Sequence, residues 1–234
     1  MELSDWYICT SVNGAAFTTE SHAVRRADVR PQDEGRPRPR GAARREALLE
    51  AVLRIVAEVG ADAVTHRRVA EEAGLPLAST TYWFDSKEHI LTAALELAAE
   101  RDTARLVDYA AAVTRRLASA DAALEATVAA ICEPLDDGRQ ARRGSLLATY
   151  ALLLEAARRP ALREIAVRWT EVYLLTLEQL LELGGSRCPR EDAELLLAAA
   201  DGLLIEQLST GATIDLRPRL RRLVKLLVKT PCAH

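Results

Sequence analysis

The sequence predicts an all-α protein, on three observations. Ala and Leu, near the top of the helix-propensity ranking, dominate its 234 residues, while aromatic residues make up only 4%. Apolar positions recur at three- and four-residue spacing along most of the chain. Gly and Pro breakers cut that pattern into segments of helical length. A β-sandwich or barrel is nearly excluded, because strands want β-branched and aromatic residues. Apolar residues form 49% and charged residues 28% of the chain, so it can bury a core and is not wholly disordered. With 31 basic and 34 acidic side chains the formal net charge is −3. A nucleic-acid role must then rest on a local basic patch.

Residues 1–43 show no sustained period, and RPQDEGRPRPRG at 30–41 is punctuated by Pro and Gly. A disordered arm is expected there. From Ala23 to Arg45 eight arginines stand against three acids, leaving +5. That charge suits a solvated tail or a misassigned start codon, and equally a flexible arm along a DNA backbone or minor groove. The start MELSDWYIC has no basic segment followed by an apolar run, so no signal peptide is expected. The apolar stretches at 146–157 and 195–205 fall short of the roughly 18 residues of a membrane span. A cytoplasmic protein without a membrane role is the expectation. Cys9, Cys132, Cys188 and Cys232 lie far apart with no CxxC pair, so reduced cysteines and no metal site are expected.

The first helix is expected from about Arg45 to Val59, on the stripe Leu48, Val52, Ile55 and Val59, and Gly60 ends it. Thr65 is the N-cap of a short second helix over His66–Ala73, which Gly74 ends. A third short helix runs from Leu77 to Phe84. Asp85 and Glu88 form a D-x-x-E capping box for a long helix over 86–117. The remaining helices are expected over 121–134, 139–157, 160–183, 189–210 and 215–229, separated at Asp136-Asp137-Gly138, Pro160, Gly184-Gly185 and Gly211.

Three short helices with a Gly after the second outline a helix-turn-helix. The steep crossing needs a positive-φ residue, which Gly74 supplies, and small residues at the contact, such as Ala70 and Ala73. Across Arg45–Leu95 the chain resembles the TetR-like (tetracycline-repressor-type) transcriptional regulators. The matching residues are Gly60, Thr65, Val69, Ala70, Ala73-Gly74, Leu75, Phe84, Lys87, Glu88 and Leu91. Beyond them the likeness is architectural, to the family's variable ligand-binding and dimerisation domain.

That resemblance implies a DNA-binding domain over 44–92 and a ligand-binding and dimerisation domain over 93–230. Thr65 and His66 would start helix two against a phosphate of double-stranded DNA. Arg67 would reach a base edge or phosphate, and Lys87 a phosphate. Leu77, Ala78, Ser79, Thr81 and Trp83 would face the major groove from helix three. Many members carry a phosphate-contacting Tyr at the position of Thr81; here Tyr82 and Trp83 follow one and two places later, which leaves the role of Tyr82 open. Helix three has no Lys, Arg, Asn or Gln, so bidentate base reading from it is not expected. Thr80 joins Ser79 and Thr81 as a source of single hydrogen bonds. The segment 45–90 holds five basic and eight acidic residues, so the basic face must be segregated.

Tyr109, Cys132, Tyr150, Trp169 and Tyr173 are candidate pocket residues for a small-molecule effector, with ordinary core packing as the other reading. Glu155, Gln179 and Gln207 are possible polar anchors there. The last two helices carry candidate homodimer stripes. One is Leu195, Ala199, Gly202 and Leu203; the other is Leu216, Leu220, Leu223 and Leu227. No GxSxG, HExxH, P-loop or GxGxxG appears, so no catalytic residue and no cofactor is assigned. The expected function is a ligand-responsive, dimeric, sequence-specific regulator, in the sense of a repressor. A helical small-molecule enzyme or carrier, and a dimeric adaptor without DNA, are the alternatives.

Overall fold

A computed structural model describes residues 40–136 and 139–230. Its described residues form helices joined by short turns, with no strand among them. The order is α1 (Arg40–Val59), a 3-10 turn (Ala61–Ala63), α2 (His66–Ala73), α3 (Leu77–Trp83), α4 (Lys87–Thr114), α5 (Ala120–Asp136), α6 (Arg139–Ala156), α7 (Pro160–Leu183), α8 (Pro189–Thr210) and α9 (Leu216–Leu227). The breakers act as their chemistry requires. Pro160 and Pro189 occupy first-turn positions, where no intrahelical N–H is lost. Gly211 ends α8 in the left-handed conformation at φ 74°.

Three local expectations are corrected. The first helix begins at Arg40, so Arg40 to Ala43 belong to α1 rather than to an arm. Good helix formers at Ala42 through Leu48 propagate the turn back toward the prolines. Residues 1–39, with the rest of the expected arm, lie outside the described residues. The N-cap of α4 is Ser86, whose Oγ accepts the His89 N–H at 3.1 Å, so the Asp85–Glu88 box does not form. Cys188 is disulfide-bonded, against the expectation of reduced cysteines. Spacing along the chain does not show which cysteines folding brings within bonding reach. Cys132 is a buried thiol.

The helices build two apolar cores. The first takes Leu48, Val52 and Ile55 of α1, Val69 of α2, Phe84, Ile90, Leu91, Ala94, Leu95 and Ala99 of α4, Leu152 of α6, and Leu162, Ile165 and Trp169 of α7. The second takes Leu106 of α4, Val128 and Ile131 of α5, Leu174, Leu177 and Leu181 of α7, Leu196, Ala200 and Leu204 of α8, and Leu216, Leu220 and Val224 of α9. The helix-turn-helix is therefore seated on α6 and α7 as well as on α4, since α1 packs along α6. The two cores meet near Tyr173, which packs against both.

Candidate functional site

Thr65 is extended at φ −139°, and its Oγ1 accepts the Arg68 N–H at 3.2 Å, capping α2. The first N–H groups of α2 have no intrahelical acceptor, by helix geometry. Gly74 closes α2 at φ 64°, ψ 30°, and the Leu75 N–H returns to the Ala70 carbonyl at 3.0 Å. A side chain at Gly74 would strain that left-handed backbone. Pro76 then launches α3.

Thr80 braces the two helices. It is 0% exposed, donates its hydroxyl proton to the Leu77 carbonyl at 2.8 Å, and lies 3.3 Å from the His66 carbonyl of α2. It therefore does not face a groove, and the expectation of a DNA contact from it is corrected. Leu77, Ala78, Thr81 and Tyr82 form the outward face; Tyr82 is 77% exposed. Ser79 is half-buried, and the Thr81 hydroxyl bonds back to the Ala78 carbonyl at 3.3 Å. Trp83 turns inward, one turn beyond Thr80. It packs on the first core and lies 3.5 Å from the place a Cβ on Gly41 would take. Trp83 is half-buried, and its ring meets that of Tyr82 edge-on with centroids 5.0 Å apart.

Arg67 points to solvent and pairs with Glu71 at 2.8 Å. Lys87 donates from Nζ to the Asp62 carbonyl at 2.9 Å, with the Asp62 carboxylate 3.7 Å away. It ties the first turn of α4 to the turn before α2. His66 is half-buried, and its Nδ1 is buried without a hydrogen-bond partner.

The chain is 32% identical over 180 residues to the HTH-type transcriptional regulator BetI of Rhizobium meliloti (strain 1021), spanning 74% of this chain and 82% of that protein. The chain belongs to the TetR family of transcriptional regulators. The family model described as "Tetracyclin repressor-like, C-terminal domain" matches residues 122–230. The solved structure of a TetR-family member, SCO1917 from Streptomyces coelicolor A3, is 31% identical, covers 80% of this chain and 99% of that one, and superposes with a TM-score of 0.62. The multidrug binding protein EbrR complexed with ethidium is 29% identical, with 80% of this chain and 99% of that chain covered and a TM-score of 0.60.

In this TetR-family chain Tyr109, Tyr150 and Tyr173 pack against the second core, which holds Cys132, while Trp169 lies in the first. Tyr109 lines a surface groove of about 520 Å³ with Val113, Arg116, Leu117, Ala129 and Arg217. Cys132 is buried in the second core. Tyr150 of α6 donates to Asp201 of α8 at 2.8 Å, and Tyr173 of α7 donates to Asp102 of α4. Trp169, one turn before Tyr173, is 8% exposed, and its Nε1 is buried without a partner. Burial pushes the Asp201 carboxyl up from its ordinary value, and the Tyr150 hydrogen bond only partly offsets it. Burial also raises the Tyr150 phenol, and the charges of Asp201 and Asp102 add to that. The two tyrosines stand out in the sequence, whereas Asp102 and Asp201 look like ordinary solvent residues in a helical pattern. Of the polar anchors, Glu155 pairs with Arg159 at 2.9 Å, Gln179 is exposed, and Gln207 accepts the Ile214 N–H at 3.3 Å.

The seam candidates also divide. Leu216 and Leu220 are 9% and 0% exposed inside the subunit's own second core, so they do not face outward. Leu223 and Leu227 pack partly on that core, as does Leu203. Ala199 is half-buried. Leu195 is 57% exposed, Gly202 is exposed, and no atom lies within 4 Å of a Cβ built on it. The outward face of α8 runs through Leu195, Ala198, Gly202 and Ile205, and Leu226 of α9 is also exposed. No described helix is long and apolar enough to cross a membrane.

Proposed function

We propose that this TetR-family regulator is a homodimeric repressor released from a near-palindromic operator by a small molecule. The observation that carries the DNA role is the Thr80 brace, which holds α3 against α2 and leaves Leu77, Ala78, Thr81 and Tyr82 outward in one row. That row enters the major groove. Thr65 and His66 meet a phosphate with the N-terminal N–H groups of α2. Arg67 exchanges Glu71 for a base edge or phosphate, and Lys87 adds a phosphate contact.

Residues 44–92 form the DNA-binding domain and 93–230 the effector and dimer domain, with α4 connecting them. The dimer forms through the outward faces of α8 and α9, at Leu195, Gly202, Ile205 and Leu226. A lone subunit would leave that apolar row in water. A two-fold dimer sets its recognition helices about 34–36 Å apart, one turn of DNA. The protein acts by binding, as its relatives named as transcriptional regulators do, and works in the cytoplasm where its DNA partner lies.

The test is selection of bound fragments from a random duplex library, followed by titration at several salt concentrations. A palindromic consensus bound by two subunits, with affinity falling as salt rises, is expected. Binding that ignores sequence, or a monomer on a single half-site, would overturn the reading.

A further inference from the structure

The effector's chemical class is written in the acids that face inward, and this inference rests on the ligand-released reading above. Asp201 is the unusual group. It sits partly buried on α8, with the Tyr150 phenol as its hydrogen-bond donor, and no ion pair forms to it among the described residues. A carboxylate in such a place normally has a cationic partner, because a neutral donor returns only part of the lost hydration. Asp102 faces the same region from α4. It takes the Tyr173 phenol on one oxygen and Arg105 on the other at 2.9 Å. Its negative charge, like that of Asp201, raises the Tyr150 phenol.

A second, independent observation comes from α7. Trp169 and Tyr173 lie four residues apart on one face of that helix. Trp169 is 8% exposed with an indole N–H that has no acceptor. A buried indole N–H ordinarily finds a partner. The region thus combines an uncompensated negative charge, aromatic rings and an unused donor.

The geometry points to an organic cation as the effector, its positive centre held by Asp201 and Asp102 and its body laid against Trp169, Tyr150 and Tyr173. A cation attracts both the carboxylates and the aromatic faces, whereas an anion would meet two like charges. An acceptor atom on the ligand would satisfy the Trp169 N–H. The ligand displaces the phenols from their carboxylates, which frees α6 from α8 and α7 from α4. The three helices that meet the first core then shift against it.

The test uses the full-length chain and three probes: proflavin as the cation, neutral anthracene and anionic anthracene-9-carboxylate. Binding is read by quenching of tryptophan fluorescence and, separately, by release of operator duplex. Proflavin is expected to bind and release DNA, with the other two far weaker. Its contact with free duplex is removed by running the quenching titration without DNA. Asp201→Asn should weaken proflavin about 10- to 100-fold, the range for a charged hydrogen bond. Tyr150→Phe should tighten proflavin several-fold, because the phenol no longer competes for Asp201. A residue that merely supports the fold would weaken binding in both variants. Preference for the neutral or anionic probe, or a proflavin affinity indifferent to Asp201→Asn, overturns the cation assignment and leaves the ligand-released reading standing. Operator binding unaffected by every small molecule across a broad screen, with no quenching by any probe, overturns both.

Discussion

Arg101 of α4 donates to Glu46 of α1 at 2.9 Å and, through its other terminal nitrogen, to Glu50 one turn further along the same helix. The neighbouring residue on α4 is Asp102, which holds Tyr173. One turn of α4 thus grips the first helix on one side and the partly buried polar cluster on the other. All three side chains of the clamp remain 34–41% exposed, so solvent screens their attraction.

The clamp should therefore matter more to coupling than to stability. Arg101→Met is expected to cost about 0–1 kcal/mol of stability, the usual worth of exposed pairs. The factor by which effector weakens operator binding should fall clearly. Operator titrations with and without effector, beside a denaturant melt, would check this. An unchanged coupling factor would show that α4 transmits through its apolar face alone.

Thr80 should behave differently. Thr80→Val keeps the shape but removes a buried donor, at a cost of about 1 kcal/mol. Operator affinity should drop with it, because the α2–α3 angle loses its polar brace. Urea melts and operator binding together read both effects. A variant with wild-type affinity would show that packing alone sets the angle.

Lys87 has an intramolecular partner in Asp62, so the DNA contact proposed for it is separable from its structural role. Lys87→Ala should reduce affinity about equally on all sequences and lower the salt slope by about one. Lys87→Gln can still donate to the Asp62 carbonyl. It should restore stability but not the salt slope. If both variants keep the full slope, Lys87 is a structural tether only.

Gly202 and Leu220, each in one of the two expected dimer stripes, should behave differently. Gly202 is exposed with open space around it, so Gly202→Leu should leave the subunit folded and disrupt the dimer. Leu220 is 0% exposed, and Leu220→Ala should cost about 2–5 kcal/mol within the subunit. Sedimentation and thermal melts distinguish them. A dimeric Gly202→Leu protein would place the interface elsewhere.

Asp201 gives a pH signature. Its folded carboxyl titrates above its unfolded value, so the native state binds the extra proton in that window. Stability should rise as pH falls from the raised value toward about 3.9, the ordinary carboxylate value. Asp201→Asn should raise the melting temperature at neutral pH and remove that component. Exposed pairs such as Glu125–Arg221 work in the opposite sense. Glu125 is held below its ordinary value by the Arg221 hydrogen bond, so its contribution is lost as pH falls through that lowered value. Melts of the two proteins between pH 4 and 8 would isolate the Asp201 component by difference. An identical profile would mean that Asp201 is hydrated in solution.

The helices themselves were legible in the sequence. The spans 160–183 and 189–210 agree with α7 and α8, because Pro160, Gly184, Pro189 and Gly211 act through local backbone chemistry. The Thr65 cap and the left-handed Gly74 were legible for the same reason: each depends on neighbours three or four residues away. The membership in the TetR family followed from residues packed into one short segment.

What the tertiary structure decided is the direction in which each helix faces. An amphipathic stripe says that one face is buried, not against what, so Leu216 and Leu220 could have lined a dimer seam or the subunit's own core. The fold chose the core, and assigned the open face of α8 to Leu195 and Gly202 instead. Thr80 turns toward α2 at the His66 carbonyl, and Trp83 toward α1 at Gly41. The polar cluster was hidden most completely. Tyr150 and Asp201 are 51 residues apart, and Tyr173 and Asp102 are 71 apart. Their pairing exists only where α4, α6, α7 and α8 meet, and no local pattern records a contact that chain folding creates.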